Sequence, residues 1–209
     1  MTQPDLFPQP ARDGLATLRG FALAHDIAVL AAVEAVIAAA PLRRMQVPGG
    51  GQMSVAMSNC GAAGWTSDLS GYRYAPADPL GGRPWPVMPD VIRDLAMAAA
   101  ETAGYPGFAP NACLINLYEP GARMGLHQDL DEPDASAPIV SLSLGLPAVF
   151  QFGGLKRGDP VEKIALEHGD VVVWGGPLRR AYHGIAPLKD GLHPLLGRRR
   201  INLTLRRAR

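Results

Sequence analysis

Cysteine is scarce in this 209-residue chain: Cys60 and Cys113 stand far apart and fit no Cys-x-x-Cys spacing. Neither a disulfide framework nor a thiolate zinc site follows from such a pair, and buried free thiols in a reducing compartment are expected. Long apolar runs are missing as well. The best candidate, Ile27–Ala40, is too short to span a bilayer and carries Glu34. Met1–Gly20 holds Asp5, Arg12 and Asp13 among prolines and glycines, with no apolar core of the sort a secretory signal requires. A cytoplasmic protein with no membrane partner is expected. Charge of one sign is also lacking. A net charge of +1 excludes a global polyanion signature. Basic residues nevertheless cluster as Arg43-Arg44, Lys156-Arg157, Arg179-Arg180, Arg198-Arg199-Arg200 and Arg206-Arg207. Such clusters permit a local phosphate-binding face, and solubilising surface charge accounts for most of them equally well.

What is present suits a globular, turn-rich chain. Hydrophobic residues at 47% and charged residues at 19% suffice for a core, and 24 Gly with 20 Pro imply many turns. The length fits one domain, 1–209. Asp26 can cap a helix over Ile27–Ala39 with Ile27, Leu30, Ala31, Glu34 and Ile37 as its stripe and Pro41 closing it. A second helix fits Asp90–Ala103, with Val91, Leu95, Ala98, Ala99 and Thr102 on one side and Gly104 as its stop. Met53–Asn59 reads as a strand and Trp65–Trp85 as a turn-rich segment. From Ala112 onward short strands follow one another: Ala112–Tyr118, Ile139–Leu144, Ala148–Phe152, Lys163–Leu166, Asp170–Trp174, Arg180–Ile185 and Arg199–Arg206. The fold class is mainly β with buttressing helices (α+β), a double-sheet jelly-roll barrel of the cupin type whose mouth can hold a small-molecule site.

One pattern in this frame carries chemistry. His127 and Asp129 are separated by a single residue, and Tyr182-His183-Gly184 supplies a second histidine far along the chain. Two histidines and a carboxylate are the ligand set of a non-haem iron(II) oxygenase, occupying one octahedral face and leaving the other free. On an extended segment positions i and i+2 point the same way, and His183 must come from a neighbouring strand. Alone, a His-x-Asp pair is more often a solvated turn.

Such an enzyme needs electrons, commonly from 2-oxoglutarate, whose far carboxylate then needs a cation inside the barrel. In Arg200–Arg206 the residues Arg200, Asn202, Thr204 and Arg206 share one face while Ile201, Leu203 and Leu205 share the other. Arginine presents a planar fork that binds a carboxylate bidentately. The competing reading is an exposed edge strand on which arginines discourage aggregation. Leu114, Asn116 and Tyr118 form a similar inward row, or else an ordinary amphipathic strand.

Asn116-Leu117-Tyr118 with Gly121, Leu126 to Pro133, Pro138 to Gly145, Phe150 to Gly154, His168 to Gly176 and Arg200 to Thr204 together resemble the AlkB family of iron- and 2-oxoglutarate-dependent oxygenases. The likeness runs from about Pro41 to Arg207 and is closest to the bacterial DNA-repair members. It includes Pro48-Gly49-Gly50, Met53 to Met57, Gly64-Trp65-Thr66 and Pro84-Trp85-Pro86. The resemblance implies a lid for nucleotide recognition within residues 1–110 and a jelly-roll catalytic core over 111–209. It implies that His127, Asp129 and His183 bind iron and, with Asp131, form the catalytic set. Arg200 and Arg206 would pair with the co-substrate carboxylates, and Asn116, Tyr118 and Asn202 would hydrogen-bond it beside Leu114 and Ser141. Trp65 would stack on a flipped base whose other face lies against His127. Tyr72 would touch the strand backbone, Asp131 would accept from the base's amino group, and Arg157 and Met57 would help hold the nucleotide. The residues alone also allow Trp65 as a core tryptophan, although its setting between glycines and polar residues favours a lid, and Asp131 as a turn carboxylate or a group that orients a ligand.

Leu130, Gly125 and Val47 depart from the pattern, standing where close relatives carry Lys, Ser and Thr against the nucleic-acid strand, and Ile201 replaces an aromatic. The implied activity is oxidative dealkylation of 1-methyladenine and 3-methylcytosine in DNA, with Fe(2+), 2-oxoglutarate and O2 as cofactors. The implied partner is alkylated DNA, single strands ahead of duplex, with RNA as a further one, and the implied state is a monomer. The rivals are the same chemistry on RNA, a protein side chain or a metabolite, and a barrel that binds nucleic acid without turnover.

Overall fold

The computed structural model describes residues 13–208; the first twelve residues of the segment read for a leader lie outside the described part. Among the described residues, thirteen strands and two main helices are arranged as β1 (Leu15–Leu18), α1 (Asp26–Ala39), β2 (Arg43–Gln46), β3 (Gln52–Gly61), β4 (Gly64–Asp68), β5 (Gly71–Ala75), α2 (Asp90–Thr102), β6 (Ala112–Tyr118), β7 (Met124–His127), β8 (Ile139–Gly145), β9 (Ala148–Phe152), β10 (Glu162–Leu166), β11 (Val171–Trp174), β12 (His183–Ile185) and β13 (Arg200–Arg206). The large sheet runs β1-β11-β8-β13-β6-β3-β2, the small one β10-β9-β12-β7, and β4-β5 form a separate hairpin. β13 is the central strand of the large sheet, which removes the edge-strand reading of its arginines.

Two apolar clusters use the two faces of the large sheet. On the outer face, Val29, Val33 and Val36 of α1 and Ile92, Leu95 and Ala99 of α2 pack with Ile115, Val140, Leu142, Ile201, Leu203 and Leu205. Each large side chain buried there stabilises the fold by about 1.5–3 kcal/mol. On the inner face Leu114, Tyr118, Ile139, Val172 and Trp174 meet Phe150, Phe152, Ile164, Leu166 and Ile185 of the small sheet. The helices therefore buttress one sheet and leave the barrel interior to the two sheets, as the strand pattern implied.

Several boundaries and faces differ from expectation. The buried stripe of α1 is Val29, Val33 and Val36, whereas Ile27, Ala31 and Glu34 are exposed. The helix is apolar almost all round, so periodicity could not select its buried face. Asp26 begins the helix rather than preceding it, and its carboxylate accepts from the Ile27 amide and pairs with His168. In α2, Leu95 and Ala99 are buried as expected, but Ile92, Ala96 and Ala100 replace Val91, Ala98 and Thr102. Arg180–Ile185 shortens to His183–Ile185 because Ala181 closes a turn onto Leu178. The turn-rich Trp65–Trp85 contains most of the β4–β5 hairpin, and β1, β2 and β7 are additional strands. Cys60 and Cys113 are buried free thiols, and they lie directly opposite each other on β3 and β6. No helix among the described residues is long and apolar enough to cross a membrane.

Candidate metal and co-substrate site

The ladder between β7 and β12 brings the histidines together. His127 closes β7, His183 opens β12, and the two are direct cross-strand partners with ring centroids 4.4 Å apart. Gly184 permits this approach, since a Cβ there would lie 2.6 Å from the Met124 carbonyl oxygen. Asp129 lies two residues beyond β7, so strand alternation does not hold it. Arg206 does, with Nε and Nη2 reaching Asp129 Oδ2 at 2.8 and 2.7 Å. Asp129 Oδ1 is 3.7 Å from His127 Nε2 and Oδ2 is 3.8 Å from His183 Nε2. The three ligating atoms lie within 4.8 Å of one another. An octahedral ion with bonds of about 2.1 Å sets adjacent ligands about 3 Å apart, so a small inward turn of these side chains closes on a metal.

The protons are already arranged for that. Each histidine places Nδ1 against a backbone carbonyl, Gly125 at 2.9 Å and Ala181 at 3.0 Å, so Nδ1–H donates outward and the Nε2 lone pair faces the carboxylate. Burial presses the His183 imidazole down to about 4, which keeps it neutral. Burial alone would raise the Asp129 carboxyl, but Arg206, His183 and His127 overcome it and hold the group well below the ordinary carboxylate range. A neutral His183 facing an ionised carboxylate, with His127 across the ladder, fits iron(II).

Behind the triad stands a polar wall. Leu114, Asn116, Tyr118, Ser141, Arg200 and Asn202 are all buried. Asn202 is satisfied: its amide donates to Ser141 Oγ at 2.8 Å and the Leu142 carbonyl at 2.9 Å, and it accepts from Thr204 at 3.0 Å. Arg200 is not. It is 0% exposed, donates from Nη2 to Ser143 Oγ at 2.9 Å and lies 5.0 Å from the Tyr118 ring centre, and among the described residues Nε and Nη1 find no partner. Among the same residues Asn116 Oδ1 is likewise unpartnered. Among the described residues no carboxylate pairs with Arg200, and burial lowers its pKa. A lone buried guanidinium is costly, and a carboxylate entering on its fork removes that cost. The wall thus fits a dicarboxylate such as 2-oxoglutarate. Arg206, expected to act alike, is already shared between Asp129 and Glu132, whose Oε1 is 3.4 Å from Nε.

The hairpin is laid over this site. Asn59 on β3 accepts from the Trp65 amide at 2.9 Å and donates to its carbonyl at 3.0 Å. The half-buried Trp65 stacks on the exposed Tyr72 with centroids 5.5 Å apart and planes 14° apart, and its Nε1 donates to Asp131 Oδ2 at 2.8 Å. Asp131 is therefore neither a free turn carboxylate nor a free acceptor. Met57 is buried in the cluster against which Trp65 packs. Arg157 is exposed, with its guanidinium 5.1 Å from the Tyr182 ring centre, beside His183 in sequence. Leu130 is exposed, and nothing lies within 4 Å of where a Cβ of Gly125 would sit.

Sequence reasoning missed Tyr74, Glu132 and Arg179. Glu132 accepts from the Tyr74 hydroxyl at 2.6 Å and from Arg179 Nη2 at 3.1 Å, all three largely buried. Tyr74 shares its strand face with Tyr72, which was the available signal; nothing distinguished Arg179 from its exposed neighbour Arg180. Of the other basic residues, Arg43, Arg44, Arg198 and Arg207 pair with Asp78, Glu119, Asp190 and Asp134, so surface charge explains them.

Residues 14–206 match the model of the 2OG-Fe(II) oxygenase superfamily. The chain is 56% identical over 200 residues to the "Alpha-ketoglutarate-dependent dioxygenase AlkB" of Salmonella typhimurium and to that of Escherichia coli, covering 96% of this chain and 93% of each relative. It is 49% identical to the AlkB homolog of Caulobacter vibrioides, over 86% of this chain and 81% of that one. A solved structure of OsALKBH1 superposes with a TM-score of 0.82 at 28% identity, covering 95% of this chain and all of the other. With iron-ligand chemistry, an anion-seeking barrel wall and 56% identity to AlkB dioxygenases over 96% of its length, this protein belongs to the AlkB family of iron(II)- and 2-oxoglutarate-dependent dioxygenases.

Proposed function

We propose that the chain removes N-alkyl groups from 1-methyladenine and 3-methylcytosine in DNA by oxidative dealkylation, a direct reversal of damage. The carrying observation is the lid, a stacked aromatic pair whose half-buried tryptophan is held by an acidic residue two positions from Asp129. N-alkylated adenine and cytosine are cationic and have lost their pairing edge, so they leave the stack at low cost. An aromatic face receives any base. A carboxylate favours the positive one, more so once the lid excludes water.

In this reading His127, Asp129 and His183 hold iron(II). Arg200 takes the far carboxylate of 2-oxoglutarate, and Arg206 keeps Asp129 aligned beside the near one. Asn116, Tyr118 and Asn202 orient the co-substrate between Leu114 and Ser141. Trp65 stacks on the base against His127, Asp131 accepts from the base's amino group, Tyr72 and Arg157 hold the strand, and Met57 supports the floor. When bound, iron(II), 2-oxoglutarate and O2 supply the oxidising power that hydroxylates the alkyl carbon, after which aldehyde leaves, with succinate and carbon dioxide as co-products. A single working domain is supported by β3 and β6, from the two halves of the chain, being ladder neighbours. It acts as a monomer in the cytoplasm, where buried free thiols persist.

The test is anaerobic loading with iron(II) and 2-oxoglutarate, then oxygen and oligonucleotides bearing 1-methyladenine or 1-methylguanine, with mass analysis. Restored adenine with matching succinate is expected. In Asp131→Asn the preference for 1-methyladenine should shrink, whereas Trp65→Ala should weaken both substrates by roughly 1–3 kcal/mol. Succinate without base repair would move the activity to another substrate, and no succinate at all would leave a binding barrel.

A further inference from the structure

Two threads descend from one cross-strand pair of the hairpin to two consecutive acidic residues. Trp65 and Tyr74 are ladder partners. Trp65 donates to Asp131 at the surface, and Tyr74 donates to Glu132 in the interior at 2.6 Å. Asp131 keeps lone pairs with which to accept from a base, whereas the second bond is buried and is the firmer tether. Burial raises the Tyr74 phenol well above its ordinary value, with Arg206 opposing and Glu132 adding to the shift, so it remains a donor. The Glu132 side chain is 2% exposed. Its Oε2 is held by Arg179, while Oε1 receives Tyr74 and faces Arg206 Nε at 3.4 Å. That same Nε donates to Asp129 Oδ2 at 2.8 Å.

We propose that Glu132 is a positioning residue that couples seating of the lid to alignment of Asp129 through Arg206. The inference rests on the dealkylase reading above. With the hairpin seated, the Tyr74 hydroxyl occupies Glu132 Oε1 and weakens its pull on Arg206, which stays on Asp129. With the hairpin lifted, Oε1 is free to draw Arg206 Nε away, and the metal carboxylate loses its clamp. A base under the lid and a co-substrate at the metal therefore tighten each other's binding, and linkage makes the effect reciprocal. Neutralising Arg179 would need only one oxygen of Glu132; the hydroxyl at position 74 and the second oxygen toward Arg206 serve the connection to Asp129.

The experiment is anaerobic titration of 2-oxoglutarate into iron(II)-loaded protein, followed by its charge-transfer absorption, with and without a 1-methyladenine oligonucleotide. In the wild type the oligonucleotide should tighten co-substrate binding by about 5-fold or more. In Tyr74→Phe, which keeps the ring and removes only the hydroxyl, that ratio should fall towards one with the folded spectrum intact. Glu132→Gln should lower it too, although Arg179 then lacks its buried counter-charge. A role in stability alone would lower the melting temperature or shift both affinities and leave the ratio unchanged. An unchanged ratio in Tyr74→Phe, or a wild-type ratio of one, overturns the coupling while the dealkylase reading stands. A wild type that binds neither 2-oxoglutarate nor the oligonucleotide overturns both.

Discussion

On its helix-covered face β13 presents Ile201, Leu203 and Leu205; on its barrel face the same strand presents Arg200, Asn202, Thr204 and Arg206, and none of the seven is more than 6% exposed. Equal burial has opposite energetic meaning on the two sides. Apolar side chains gain by leaving water. The polar row is tolerable only where partners are supplied, and at Arg200 they are incomplete. Burial therefore does not separate structural from functional residues on this strand; missing partnership does.

Leu203→Ala is the sharpest way to break this distinction. It should cost about 2–5 kcal/mol of stability by leaving a cavity under the helices, with 2-oxoglutarate affinity unchanged well below the melting temperature. Denaturant unfolding and co-substrate titration check the two halves of that statement. If affinity fell as far as in an Arg200 variant, the two faces would not be separable.

The barrel face should also show itself in pH dependence. His183 has a folded pKa of about 4 against an ordinary 6.5. Between those values the unfolded chain takes up a proton that the folded chain refuses. The neutral imidazole's contribution is thus complete above pH 6.5 and declines as pH falls towards 4, by something on the order of 3 kcal/mol. Melting curves of the metal-free protein should slope in that window, and the slope should flatten in His183→Gln. A flat wild type would mean that the imidazole is not buried in its neutral form.

Arg200→Ala should weaken 2-oxoglutarate by about 10–100-fold, the worth of charge-assisted hydrogen bonds to a carboxylate, with lysine restoring part. Arg200→Met, which fills the space without the charge, should raise the stability of the ligand-free protein, opposite in sign to Leu203→Ala, because a lone buried cation is removed. Isothermal titration and melting curves decide both.

Much of this was legible because β-strands carry a strict period of two. Ala112–Tyr118 and Ala148–Phe152 end where the alternation ends, and β13 divides into its two faces as its residues alternate. The triad was legible from residue types and one short spacing. The helical face of α1 was not, since alanine, valine and isoleucine surround its axis and only contact with the sheet chooses among them. The Tyr74–Glu132–Arg179 network was illegible for another reason: its members are distant in sequence, and each alone looks like ordinary surface. The sharing of Arg206 between two carboxylates depends on the path of residues 129–132 after β7 ends, which no periodicity governs.

The close approach of β7 and β12 at Gly184 gives the ligand set one fixed jaw and one adjustable jaw. The two histidines are partners in a backbone ladder, so their pairing is inherited from the fold. Asp129 lies beyond that ladder and takes its position from one arginine side chain. A change at residue 206 therefore reaches the carboxylate without passing through the histidines.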